Sequence, residues 1–564
     1  MNNNVRDLLK RHFDTAFSES NGIKKLRELI LTLAMQGKLV PQDPNDSPAI
    51  EYLKKIDAEK KRLVKNGIIK SPKPLAGIKP EEIPYELPKR WEWVRLGDIG
   101  IINPRNEAKD STVSGFVPMP LIPEGYSENH QFEVRLWGEI KKGYTHFANG
   151  DVGMAKITPC FENAKSCVFS DLPNGIGAGT TELHIFRNSF RSIVPLFLLY
   201  YIKNPKFILS TAPNMTGSAG QKRVPTPYFS SLYFPLPPLP EQHRIVAKIG
   251  QLMAQCDELE KLRIVQEQKR IAVHAAALKQ LLDPNDKKKQ TNAWRFLCDN
   301  FGKLYTVKEN VTELRKSILH LAVMGRLVLQ DPNDPPASEL LKEIEAEKHR
   351  LVKEKKINQP KPLPQIKPEA LHELPQGWAW VRLGEIGIWK SGTTPSRSNT
   401  SYYGGDIPWL KSGEVKQGRI KSTEETITQA ALDKCSLHIN EKGSVVIAMY
   451  GANIGEVGIL EIEAATNQAV CACKTYTNFD ENYLLFLMTS LKPYFISQGA
   501  GAAQPNISRE KIVATIFPLP PLSEQHRIVS KINQLMAMCH ELEKQINAAA
   551  GKKTELLNAI MAKI

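Results

Sequence analysis

The chain has 564 residues, enough for several domains of about 100–150 residues that each bury a core of their own. Its 75 basic against 60 acidic side chains leave a formal charge of +15, which favours a polyanionic partner such as nucleic acid. Eight scattered cysteines form no CxxC pair and no His/Cys cluster with zinc-ligand spacing, the start MNNNVRDLLKRHF has no apolar signal core, and the most apolar stretch, Ile193–Ile202, is too short to cross a bilayer. The expectation is a cytoplasmic, reduced protein with no membrane contact.

In chain order, apolar residues at Leu26, Leu29, Ile30, Leu33 and Ala34 predict a helix that Gly37 closes. A DPND turn follows at 43–46 and is read as the N-cap of a charged helix, EYLKKIDAEKKRLVK, with one narrow apolar stripe. A Pro-rich connector then leads to WEWVRLGDIG (91–100). Beyond it the pattern changes to short alternating strands with Gly, Pro and Asn turns, for example 151–157 and 180–186, with a helix over 195–203. This stretch exits through PLPPL into a long helix opening at Glu241, whose heptad seam is predicted from Ile245 through Leu259. If unbroken to Leu282 it would run about 60 Å at 1.5 Å per residue. A third DPND (283–286) followed by KKKQ reads as a joint, and the chain from 293 resembles the N-terminus, with Phe296 and Phe301 matching Leu8 and Phe13.

The elements then repeat. LRELILTLAMQGKLVPQDPND (26–46) returns as LRKSILHLAVMGRLVLQDPND (314–334), and WEWVRLGDIG returns as WAWVRLGEIG (378–387). The exit FPLPPLPEQHRIVAKIGQLMAQCDELEK (234–261) returns at 517–544 with 23 of 28 positions identical. Strands are predicted at 444–449 and 468–473 and a helix at 481–490 in the second half. Its last helix carries a seam of Ile528, Ile532, Leu535, Cys539, Leu542, Ile546, Ala549, Leu556 and Ile560. Cys256 and Cys539 sit on the two seams, and Cys471 with Cys473 on one strand face, as core thiols. Between these matched flanks, roughly 97–233 and 384–516 show little likeness to each other. A tandem duplication that keeps its frame and varies its inserts does one job twice and reads two different targets.

No phosphate loop, dinucleotide fingerprint or Asn/Asp-Pro-Pro-aromatic methyltransferase motif occurs. Asp406, Glu414 and Lys416 fit the loose D…ExK pattern of metal-dependent nucleases, which arises by chance in most chains of this length and has no equivalent in the first half. His243 and His526 open the duplicated EQHRI helices, where interface or capping roles outweigh catalysis. The inserts are rich in polar loops bearing Gly or Pro, the side chains that contact phosphates and base edges. Candidate DNA-facing residues are Lys156, Lys222 and Arg223 in the first insert and Lys390, Thr393, Thr394, Arg397 and Lys411 in the second; polar loops are also ordinary surface, so each residue stands on its placement.

At PLPPLPEQHRIVAKI, PLPPLSEQHRIVSKI and YYGGDIPWLKSGEV the chain resembles the specificity subunit of bacterial type I restriction–modification systems, over essentially its whole length. The resemblance implies an α+β architecture: two globular α/β target recognition domains separated by long helices in an antiparallel coiled coil with pseudo-twofold symmetry. The expected division is a helical region and linker at 1–90, recognition domains at 91–236 and 378–519, a central helical region at 237–377 and a last helix at 520–564. It implies that each domain reads one half of an asymmetric bipartite site in double-stranded DNA, while the helices set the spacing and dock two modification subunits. The chain itself would carry no catalytic residue, cofactor or metal. S-adenosylmethionine would serve the modification subunits, and ATP with Mg2+ the two restriction subunits. The long helical region before the first insert resembles only some branches of the family. Two other readings are a DNA-reading subunit of a related system that cuts on both sides of its site, and a coiled-coil scaffold that binds no DNA.

Overall fold

The computed structural model describes residues 7, 11, 13, 17, 21–66, 75, 77–190, 193–218, 220–283, 286–366, 373–416, 418–476, 478–499 and 506–562. Leu8, Pro284, Asn285 and the loop 501–505 therefore lie outside the described residues. The chain forms two compact units, Met1–Gln266 with Ala549–Ile564, and Glu267–Ala548.

In the first unit, helix α1 (Gly22–Met35) buries Leu29, Ile30, Leu31 and Ala34. It stops where Gly37 takes a left-handed φ of 65°, and a side chain there would meet Pro88 Cγ at 2.4 Å. Helix α2 (Ala49–Lys65) follows. The DPND turn forms through Asn45 N–H donating to Asp43 Oδ1, but Asp46 does not cap α2. Two further residues, Ser47 and Pro48, intervene, and the Asp46 carboxylate instead accepts from Arg244 at 2.6 Å.

The insert is closed by its own ends. Strand Glu92–Arg95 pairs antiparallel with Tyr233–Leu236, in the register Glu92 opposite Leu236. Inside this clasp lie two four-stranded sheets, one built around Val152–Ala155 and Leu183–Arg187, the other around Val113–Val117 and Ile176–Gly179. Helix α3 (Pro195–Ile202) buries Phe197, Leu198, Leu199, Tyr200 and Ile202 in the same core.

Helix α4 (Leu239–Leu282) leaves the clasp and runs 44 residues. Its seam buries Ile245, Ile249 and Cys256, then ends one step sooner than expected: Leu259 is 47% exposed. In the second unit the run Lys287–Lys289, read as a joint, opens a helix over Lys287–Asp299 that Asp286 caps.

The second unit repeats the frame with helices α5 (Lys308–Val323) and α6 (Ala337–Lys353). Gly325 has φ 66° against Pro375, and Asp334 bonds Arg527 at 2.6 Å. Strand Ala379–Arg382 pairs with Ile516–Leu519 in the equivalent register, Ala379 opposite Leu519. The second insert holds a five-stranded and a three-stranded sheet. Its helix α7 (Glu481–Ser490) matches the predicted span. Helix α8 (Leu522–Ala562) buries Ile528, Ile532 and Cys539 along its seam, but Ala549 is exposed.

Each unit also takes in the end of the other half's long helix. In the first, Leu557 and Ile560 of α8 pack on Leu29 and Phe17. In the second, Ala277 and Leu278 of α4 join Leu304, Tyr305, Val311 and Ile318, and His274 Nε2 lies 2.9 Å from the Tyr305 hydroxyl.

The duplicated EQHR motif acquires a physical meaning in this frame. Gln242 and Gln525 are fully buried. Each amide donates to an exit proline carbonyl, Pro237 at 3.0 Å or Pro520 at 3.1 Å. Each also accepts from the N-cap residue of the insert helix, Val194 N–H at 2.8 Å or Asp480 N–H at 3.2 Å. Glu524 accepts from the indole of Trp378, the entry residue, at 2.9 Å. His243 and His526 face solvent. Replacing Gln525 by Leu would orphan the buried Pro520 carbonyl and the half-buried Asp480 amide at once. Gln525→Leu is expected to cost about 2–4 kcal/mol, read as a lower thermal unfolding midpoint, whereas Gln534→Leu on the exposed face of α8 should leave the midpoint unchanged.

Candidate nucleic-acid interface

In the first insert, two loops that are far apart in sequence are stitched together beside the strand Leu183–Arg187. Thr158 N–H donates to Lys222 O at 3.0 Å, and Lys222 N–H returns to Thr158 Oγ1 at 3.1 Å. Val224 N–H reaches Lys156 O at 2.8 Å, and Ile157 bridges Arg223. The three predicted residues Lys156, Lys222 and Arg223 are thus brought to one place. Their side chains differ. Arg223 is committed to Glu182 through Nε and Nη2, and its Nη1 donates to Gln221 O. The Lys156 and Lys222 ammonium groups make no ion pair among the described residues. Lys156 also lines a cavity of about 310 Å³ with Asn103, Arg105, Tyr144, His146 and Thr181.

Beneath these loops His184 is wholly buried and stacks on Phe229 at 4.8 Å. Its Nε2 lies 2.7 Å from Val224 O, so the neutral tautomer with Nε2–H holds the chain at Val224. Burial pushes its pKa down from 6.5 to about 4.

In the second insert, Lys390 is exposed on strand Gly387–Ser391. The loop after it folds over Trp409: Thr393 N–H donates to Thr466 O, and the Trp409 indole donates to Thr393 O at 3.3 Å. Gly392 is required there, because a Cβ would lie 2.0 Å from Thr466 O. Thr394 is half-buried. Arg397 and Lys411 meet through one carboxylate: Arg397 Nη1 donates to Glu425 Oε2 at 2.7 Å and Lys411 Nζ to Oε1 at 2.9 Å. Lys411 also reaches Glu424 at 3.1 Å. Held by both cations, the Glu425 carboxyl falls to about 2.

The pairing carboxylates Glu182, Glu424 and Glu425 were missed in the sequence, and so were the other cavity-lining residues. No local pattern joins Glu425 to Arg397, since 28 residues and a strand pairing separate them. The D…ExK residues do not assemble. Glu414 Oε2 accepts from Lys411 N–H and Oε1 from Glu424 N–H, so its carboxylate serves as a local cap, while Asp406 and Lys416 are exposed. No cluster of three or more His, Cys, Asp or Glu suited to a metal occurs among the described residues. No helix among them is long and apolar enough to cross a membrane.

The His184 imidazole yields a pH prediction for the first insert. The unfolded chain takes up its proton near pH 6.5 and the folded insert only near 4, so this stability is full above about 7 and falls as pH drops. Between pH 7.5 and 5.5 the loss is expected to be about 1 kcal/mol. Denaturant melts at the two pH values should show a larger loss in the natural protein than in His184→Asn, where burial still holds the His146 imidazole below its ordinary value.

The sequence that forms these two inserts and their duplicated frame matches a known family. The model for the type I restriction modification DNA specificity domain matches residues 88–270 and again 375–550. The chain is 42% identical to the type I restriction enzyme EcoAI specificity subunit of Escherichia coli, over 96% of this chain and 93% of that one. It is 40% identical to the EcoEI specificity subunit of the same species with the same coverage. Among solved structures, the HsdS subunit from Thermoanaerobacter tengcongensis aligns with 21% identity and a TM-score of 0.43, covering 85% of this chain and 98% of that chain. The chain belongs to the type I restriction enzyme specificity subunit family, with two specificity domains in one polypeptide.

Proposed function

We propose that this subunit reads a bipartite, asymmetric DNA site, one half through each insert, on behalf of partner subunits that perform the chemistry. The observation that carries the reading is the pairing of an identical clasp, register for register, with two inserts of different sheet topology. A shared frame needs no such difference unless the inserts meet different sequences. Of the candidate residues, Lys156, Lys222 and Lys390 make no ion pair among the described residues and can meet phosphates, and Thr393 and Thr394 lie in the loop beside Lys390. Arg223, Arg397 and Lys411 approach DNA already paired to carboxylates. The long helices α4 and α8 hold the half-sites at a fixed spacing and dock two modification subunits. Those subunits would supply adenine-N6 methylation with S-adenosylmethionine, and two restriction subunits ATP- and Mg2+-dependent translocation and cleavage, all in the cytoplasm.

The test exchanges residues 97–233 for the corresponding insert of another family member, then maps methylated adenines in DNA exposed to the assembled complex. One half of the methylated sequence should change and the other should persist. A change in both halves together would refute independent reading. The purified chain alone, given S-adenosylmethionine, should transfer no methyl groups.

A further inference from the structure

Two arginines of the first insert are spent within the fold, while one in the second keeps donors to spare. In the first, Arg187 spends Nε and Nη2 on Asp151 and Asn106, and Arg223 spends all three nitrogens on Glu182 and Gln221. Those guanidiniums are structural. In the second, Arg397 gives only Nη1, to Glu425, and among the described residues Nε and Nη2 have no protein acceptor. Its side chain is 56% exposed.

Despite that exposure, Arg397 is held on several sides. Its Cζ lies 4.5 Å from the Tyr403 ring centroid and 5.2 Å from that of the buried Trp409, so aromatic faces support the guanidinium plane. The backbone on either side is pinned: the Tyr403 hydroxyl donates to Pro395 O at 2.6 Å, and the Asn399 side chain caps Ser401 N–H. Glu425 is itself oriented by Lys411. A long, flexible side chain therefore keeps a fixed plane and direction before any ligand arrives, with one edge of its donor fork unused.

The charge around it argues against a phosphate as the natural acceptor. Arg397 and Lys411 are balanced by Glu424 and Glu425, so the cluster is near neutral, and its carboxylates would repel a phosphate oxygen. A guanine edge suits it better. O6 and N7 are two neutral acceptors spaced for a planar fork, and a carboxylate beside the arginine costs nothing there.

We infer that Arg397, set in place by Glu425 and the Tyr403–Trp409 platform, reads one guanine in the half-site recognised by the second insert. Glu425 is a positioning residue that acts through Arg397. The inference rests on the proposed DNA-reading function and assigns one base of it.

The experiment uses the subunit assembled with its modification subunits, and maps methylated adenines for the natural protein, Arg397→Lys, Arg397→Ala and Glu425→Gln. Exchange of the second insert, 384–516, first identifies which half that insert reads. The natural complex should discriminate at one G·C pair of that half by about 5–150-fold. Arg397→Lys and Arg397→Ala should collapse that preference to within about 3-fold while leaving every other position, and the whole other half, as before. Glu425→Gln should weaken the same preference alone, because the fork loses its charged anchor. A natural half-site with no G·C pair overturns the inference, as does an unchanged preference in both Arg397 variants. Loss of methylation at every sequence in both variants would make Arg397 a pin of the 391–405 loop and would overturn it equally. Failure of the natural complex to methylate any bipartite site would instead strike the proposed function.

Discussion

A pair of buried amides holds the architecture together. Gln242 and Gln525 each sit where three segments converge: the prolines leaving an insert, the N-terminus of that insert's main helix, and the start of the long frame helix. A buried amide with both ends satisfied fixes position as well as energy, because no other placement of those segments pairs the same groups. Around it the frame adds the Arg–Asp bond to the DPND turn and, in the second half, the indole bond to Glu524. Everything the insert does in space is referred to this junction.

The clasp strands complete the logic. Each insert enters and leaves on adjacent antiparallel strands, so its two ends are side by side and its interior is bounded by hydrogen bonds the frame itself supplies. The insert cores are then free to differ. The first builds two four-stranded sheets and the second a five- and a three-stranded one, on the same pair of anchoring strands. Specificity can diverge in such a module while the clasp keeps its register.

Much of this was legible in the residues. The residues located α3 and α7 to within a residue and marked the body and end of α1, and the repeated Trp-x-Trp and PLPPL segments marked where the inserts begin and end. What escaped the sequence depended on distant partners. Asp46 looked like a helix cap from its neighbours, yet its partner Arg244 is 198 residues away. The α4 seam looked continuous through Leu259, but burial lapses after Cys256 and returns only at His274, because a heptad pattern records what a helix could bury and not what covers it. The candidate interface followed the same rule. Basic loops could be found by composition, whereas the carboxylates that direct Arg223 and Arg397 come from Glu182 and Glu425, which no local spacing links to them.

The ownership of the last helix has a consequence for synthesis. Residues from Ala549 onward belong with the first unit, and Leu557 and Ile560 cover Leu29 and Phe17 there. The first unit is therefore synthesised in two instalments, with the whole of the second unit between them. Until the chain has been made past Ile560, α1 must wait with part of its apolar face open, exposed to aggregation or to a chaperone. A premature stop near position 549 would spare the second unit's own residues and leave the first one incomplete, so that the damage appears several hundred residues upstream of the lesion.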